Sequence, residues 1–401
     1  MLPRSCVTVW RKDMSDYHFD ATLAGAIVAR TMQIIECNVN VMDATGRIIG
    51  SGDKERIGEI HEGALLALTQ ERIVTIDDAS MHILQGVKPG INLPLRLDGV
   101  IVGVVGLTGQ PDGLRQYGEL VCMTAEMMLE QARLMQLLAR NSRQREELVL
   151  NLIRSDSYSD TVSEWARRLG IDLQKPRVAL VVELDSGQLG VSTAMTELQQ
   201  FQNLLTEPGM APDREEGLMA IVSLTEMVVL QPLSEHGRWD PEAHLRRIQL
   251  LYQRLHDESP LRVRLALGNF FPGEGGLQRS YQTAKTTMKV GKQRQPEAHC
   301  YSYQDMALPV LLDSLCGGWQ AKELMRPLAR LRAMDGNGIF RKTLYSWFCY
   351  NLQNTVTANA LYIHKNTLEY RLRRISDITG LNLSRVDDRL LLYIALQLED
   401  G

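Results

Sequence analysis

NTVTANALYIHKNTLEYRLRRISDITGLNL, residues 354–383, decides how the C-terminal part of the chain folds. Val356, Ala360 and Leu361 give its first part a short apolar face, and Tyr362-Ile363-His364 breaks the pattern. A second helix is predicted from near His364 through Leu368, Leu372, Ile375 and Ile378, spaced four, three and three as a buried stripe requires. Gly380 stands where a left-handed residue would end that helix. Two short helices joined by a tight turn make a helix-turn-helix. The second helix presents Lys365, Asn366, Thr367, Glu369, Tyr370, Arg371, Arg373 and Arg374, with His364 at its start. A polar first turn suits base edges in a major groove, and the cations behind it suit phosphates. Asn366 fits adenine and Lys365 fits guanine. An ordinary amphipathic helix with a solvated basic face has the same composition, so the pattern alone leaves both readings open.

Outward from this motif, the chain has 401 residues, too many for one ordinary domain. Its 44% hydrophobic and 23% charged content suits a globular protein with real cores. The formal net charge of −4 does not advertise nucleic-acid binding, but a local basic face is all that phosphate contact needs. Six cysteines form no CxxC pair, which removes zinc-knuckle and thioredoxin readings and suits reduced thiols in a cytoplasmic protein. The first residues lack a signal-peptide core, and no apolar run reaches the roughly 20 residues that span a bilayer. Met14 opens a second plausible start, so residues 1–14 are expected to be an extension outside the fold.

The expected fold class is multidomain α/β plus all-α. Residues 15–112 read as helix, two strands, helix, two strands, the order of a PAS- or Cache-like α+β sensor. Helices are expected over 22–35 and 59–68, with tight turns at Ala44-Thr45-Gly46 and Asp98-Gly99. Residues 113–154 form one long helix. Val121, Met128, Met135 and Val149 recur on a seven-residue grid, with Leu138 and Leu152 at the second seam position, which predicts a signalling and dimerisation helix. Residues 155–303 read β-α-β-β-α-β, a ferredoxin-type order with one helix over 194–205. Residues 304–401 are all helical.

The stretch IHKNTLEYRLRRISDITGLNL resembles, almost residue by residue, the C-terminal helix-turn-helix of the PucR and carbohydrate diacid regulator families. The families' usual Arg is Lys365 here, which keeps the charge but loses bidentate geometry. Residues 24–130 are similar to the sugar-diacid recognition domain of the same regulators, through NVNVMDATGRIIGSGDKERIGEIHEGA, GVKPGINLPLRLDG and VGVVGLTG. The resemblance implies a homodimeric, cytoplasmic regulator that binds double-stranded DNA and takes a small diacid effector (glucarate, galactarate or glycerate type). As an activator it would work with RNA polymerase, away from any membrane and without a cofactor.

The residues can be read toward that ligand independently. A sugar diacid needs two anion sites with polar groups between them. The loop over residues 51–58 is expected to lead straight into a helix whose amide end suits a carboxylate, with Arg56 as a clamp and His61 one turn into the helix. Lys88 supplies charge, Asn92 interrupts an apolar strand, and Ser51 and Thr108 suit hydroxyls. Plainer roles fit equally: Arg56 paired with Glu59 or Glu55, His61 as a core histidine, Lys88 solvated, Asn92 satisfying a strand edge.

The middle region resembles a degenerate GGDEF domain through LGNFFPGEGGLQRSYQTAKTTMKVGK. The signature hairpin reads Ser223-Leu224-Thr225-Glu226-Met227, without the glycines that admit a nucleotide and with one acid of the pair. Glu183 and Asp185 alone do not position a phosphoryl group. No HExxH, Walker loop or GxSxG elbow occurs. The expectation is a non-enzymatic regulator without a metal site; the alternative is a regulator whose middle domain senses a guanine nucleotide while the N-terminal domain only dimerises.

Overall fold

The structure, a computed structural model, describes residues 19–78, 88–185, 196, 198–202, 205, 218–233, 239–258 and 262–399. The expected extension over residues 1–14 lies outside these, as do residues 194, 195, 197, 203 and 204 of the helix expected over 194–205, whose described residues are helical. The chain divides into two compact units, residues 1–142 and 143–401.

In the first unit Asp20 caps helix α1 (Ala21–Met32) by accepting the Leu23 N–H at 2.8 Å. There follow β1 (Val39–Asp43), β2 (Ile48–Ser51), a 3-10 turn at Lys54–Arg56, α2 (Glu62–Gln70), β3 (Val74–Ile76), β4 (Gly90–Leu97) and β5 (Val100–Thr108). The sheet is antiparallel throughout, in the order β2-β1-β5-β4-β3, a PAS-like arrangement. The β4–β5 turn has positive φ at Asp98 (48°) and Gly99 (80°), as a two-residue hairpin demands. The three-residue β3 is an addition to the expected order; VTI is too short for alternation to register. One sheet face carries Val39, Val41, Leu93, Val105 and Leu107 against α1 and the long helix α3 (Pro111–Arg154). The other carries Met42, Ile48 and Val104 against Ala64 and Ala67 of α2.

The seam expected along α3 is not one exposed face. Val121, with Ala125 and Leu129, is buried on the sensor sheet, whereas Val149 and Leu152 enter the core of the second unit. Heptad spacing announces a buried stripe but not what buries it, and here two different cores share the work.

The second unit continues with α4 (Asp160–Arg168), β6 (Arg177–Asp185), β7 (Leu218–Ser223), β8 (Glu226–Pro232), α5 (Pro241–Glu258), β9 (Arg262–Leu267), α6 (Gly276–Arg294) and β10 (Cys300–Ser302). Its sheet order is β10-β9-β6-β8-β7, the 4-1-3-2 order of a ferredoxin-type sheet with β10 added in parallel at one edge. Phe201 and α5 cover one face; α6 and the last turns of α3 cover the other. Among the described residues six α-helices follow: α7 (Ala307–Asp313), α8 (Trp319–Met334), α9 (Ile339–Cys349), α10 (Asn354–Ala360), α11 (Lys365–Thr379) and α12 (Val386–Glu399). Leu328, Leu344, Trp347, Leu368, Ile375 and Leu392 form the common core of α8 to α12, whereas Val310 of α7 joins the core beneath α6. Among the described residues no helix is long and apolar enough to cross a membrane.

Candidate functional site

The reading helix is α11. His364 caps it, its Nδ1 accepting the Asn366 N–H at 3.3 Å, and Gly380 (φ 72°) ends it. Leu368, Leu372 and Ile375 are buried, so the turn is fixed and the opposite face is presented. His364, Lys365, Asn366, Thr367, Tyr370, Arg373 and Arg374 are exposed. Lys365 lies 3.9 Å from Glu369 and Arg374 lies 4.0 Å from Asp377. Exposed pairs of this kind contribute about 0.3–0.5 kcal/mol, too little to hold either cation back from a phosphate.

Arg371 departs from the expectation: it is half-buried, and its Nη1 donates to Thr343 Oγ1 of α9 at 3.2 Å. Position 371 lies at the border of the buried stripe, where a long side chain reaches the neighbouring helix. The first helix departs too. Its buried residues are Thr357 and Ala358, whereas Val356 is 43% exposed. Thr357 satisfies its hydroxyl on the Gln353 carbonyl at 2.8 Å, which lets a polar residue take the core position. Sequence reasoning places Tyr362 at the break between the two helices but not in the reader. It holds the turn between α10 and α11 with φ 53° and is 96% exposed, a prominent side chain beside the first turn of α11.

In the sensor four of the nominated residues, Ser51, His61, Asn92 and Thr108, lie at the α2 face of the sheet, and Lys88 is not placed there. Ser51 faces Asn40, Asn40 faces Gly106, and Gly106 faces Asn92, one row across four strands. Asn40 Oδ1 accepts from Ser51 Oγ at 2.6 Å and from Asn38 Nδ2 at 3.2 Å. Asn92 is 3% exposed, and its Oδ1 has no hydrogen-bond partner among the described residues. It lies on an interior strand, so the plainer role of satisfying an edge does not apply. Two glycines make room around it. A Cβ on Gly106 would stand 2.9 Å from Asn92 Oδ1, and one on Gly63 would stand 2.8 Å from Asn92 Nδ2 and 3.1 Å from His61 Cε1. Thr108, two residues beyond Gly106, shares this face.

Two geometric expectations are corrected. The loop after Ser51 does not lead straight into α2: Arg47 first pairs with Ile60 as an isolated bridge. His61 is therefore the N-cap of α2, not a residue one turn inside it, and its Nδ1 accepts the Ala64 N–H at 3.2 Å. Burial, with the Arg56 guanidinium adding to it, holds the imidazole down to about 4. The ring is neutral at pH 7 with its proton on Nε2, a hydrogen-bond donor. Arg56 pairs with Glu59 at 3.4 Å, as the plainer reading had it, while remaining beside His61. Lys88 is exposed ahead of β4. Asn38 and Asn40 were legible in the NVNV alternation but were not nominated.

In the middle domain, Glu226 and Glu183 are register neighbours across β8 and β6. Lys292 Nζ donates to both oxygens of Glu183 at 2.7 and 2.8 Å. Tyr281 OH donates to Glu226 Oε1 at 2.5 Å, and Lys285 lies 3.9 Å from Glu226. The side chain of Asp185 lies outside the described residues. Both described carboxylates are thus satisfied by α6, where a metal-binding pair would face an ion.

The sequence matches the sugar diacid recognition family over residues 19–152, the GGDEF-like domain over 154–290 and the PucR C-terminal helix-turn-helix domain over 340–398. It is 63% identical to the carbohydrate diacid regulator of Escherichia coli (strain K12), covering 96% of this chain and 100% of that one. The chain belongs to the carbohydrate diacid regulator family. An uncharacterized protein of Haemophilus influenzae is 35% identical over 95% of this chain and 99% of its own. The DNA-binding transcriptional activator AdeR of Bacillus subtilis is 27% identical over 45% of this chain and 44% of its own. As a member of this family the chain is a helix-turn-helix regulator rather than an enzyme, with a degenerate GGDEF-like domain between its sensor and its reader.

Proposed function

We propose that this chain is a cytoplasmic, homodimeric transcriptional activator of genes for sugar diacid uptake and breakdown, controlled by a diacid bound on the α2 face of the sensor sheet. The observation that carries the ligand reading is Asn92: a buried amide oxygen without a partner among the described residues, its side chain seated against two glycines. An unpaired buried acceptor costs about 1–3 kcal/mol, so a hydroxyl that reaches it binds with that advantage. Asn92 and His61 thus suit the hydroxyls of the chain, with Ser51 and Thr108 at the margin, and Arg56 and Lys88 are the cations for its carboxylates. His364, Lys365, Asn366, Thr367, Tyr370, Arg371, Arg373 and Arg374 form the DNA reader, Arg371 partly through its hold on α9. As an activator the complex works with RNA polymerase. The domain limits follow the functional parts: sensor 15–112, signalling helix 113–154, GGDEF-like domain 155–303 and reader 304–401.

A thermal-shift screen with glucarate, galactarate, glycerate, tartrate and GTP tests the ligand. At 100 times its dissociation constant a ligand adds about 2.7 kcal/mol, a clear rise in Tm. A shift with a diacid that disappears in Asn92→Ala is expected. A shift with GTP alone moves sensing to the middle domain and defeats the proposal.

A further inference from the structure

Within the first unit α3 has two apolar faces, and among the described residues only one is covered. Val121, Ala125 and Leu129, four residues apart, are buried on the sensor sheet. On the reverse face Tyr117, Leu120, Met123, Met127, Leu134 and Leu138 are 52 to 69% exposed. Tyr117, Leu120, Thr124, Met127, Gln131, Leu134 and Leu138 are spaced alternately three and four, the seam of a two-stranded coiled coil. We infer that this outward stripe of α3 pairs in parallel with the same stripe of a second copy of the chain. The inference deepens the proposed regulator by naming the surface that would bring two readers together.

Three observations select a second copy over another partner. In a parallel two-fold pair every seam residue meets its own counterpart, so a charge on the seam would face a like charge. The seam from Tyr117 to Leu138 carries none; Glu119, Glu126 and Arg133 fall outside it. Its polar members, Thr124 and Gln131, can each hydrogen-bond to their own copies. The area is also adequate. Five large seam side chains and the adjoining Met123, at roughly 100 Å² apiece over about 32 Å of helix, approach the about 800 Å² per partner of a standard interface once flanking groups are included. Finally, helix-turn-helix readers address paired half-sites, which two chains joined in parallel would supply.

The test uses the full-length chain. Light scattering should show a dimer at micromolar concentration, and mild oxidation of Leu134→Cys should give a disulfide-linked dimer. Gln136→Cys, exposed on the other side of the helix, should stay monomeric on a non-reducing gel. The double variant Met127→Glu, Leu134→Glu should raise the dimer dissociation constant at least tenfold, with an unchanged circular dichroism spectrum. A monomeric wild type, equal cross-linking at 134 and 136, or an unweakened dimer in the double variant each overturns this surface. None of these results bears on the ligand, whose own failure would appear in the thermal-shift screen.

Discussion

Arg371 donates to Thr343 at 3.2 Å and so fastens the reading helix to α9. Arg373, two residues on, is exposed and makes no such tie. The two arginines therefore separate stability from DNA contact. Arg371→Ala should lower unfolding free energy by about 1 kcal/mol, the worth of one hydrogen bond. Arg373→Ala should leave stability unchanged, weaken binding to all duplexes alike, and reduce the salt slope by about one. Urea denaturation and fluorescence anisotropy across a salt series measure both. Equal stability losses in the two variants would refute the assignment.

Asn92→Leu exchanges a buried amide, whose oxygen has no partner among the described residues, for an apolar group of similar shape. Because the wild-type oxygen is unsatisfied, the unliganded variant should hold its stability within about 1 kcal/mol or gain. Its response to a diacid should vanish. A variant that loses several kcal/mol without ligand would mean that the amide has a structural partner, and the ligand reading would lose its support.

His61 gives the sensor a pH dependence whose sign is fixed. Its folded-state value of about 4 lies below the ordinary 6.5, so the unfolded chain takes up the proton first. The stabilising contribution is complete above pH 6.5 and falls as the pH drops toward 4. Between pH 7 and pH 5 the loss attributable to this group should be about 2 kcal/mol. His61→Gln should flatten the profile in that window, and an unchanged profile would contradict the buried neutral ring.

The reader was legible because its signals are local: a stripe at helical spacing, a capping His364 and a C-terminal Gly380. The sheet orders followed from strands and tight turns that sequence marks well. What escaped depends on long-range register or on the reach of a side chain. The row from Ser51 to Asn92 exists only once four strands are aligned, which is why Asn40, Gly63 and Gly106 were missed. Arg371 looked free because helical position does not tell where a long side chain ends. The heptads of α3 mark apolar positions but not what covers them: Val121 and Val149 serve different cores, while Met135 and Leu138 stay exposed.

Lys292 on Glu183 and Tyr281 on Glu226 bear on descent as much as on chemistry. If the middle domain came from a nucleotide-processing ancestor, its retirement was written twice, once in the hairpin and once on a helix over fifty residues downstream. Putting glycines back at positions 223 and 224 would reopen a doorway onto carboxylates still occupied from within. A return to catalysis would require the helix to release them at the same time, so single mutations lead nowhere useful.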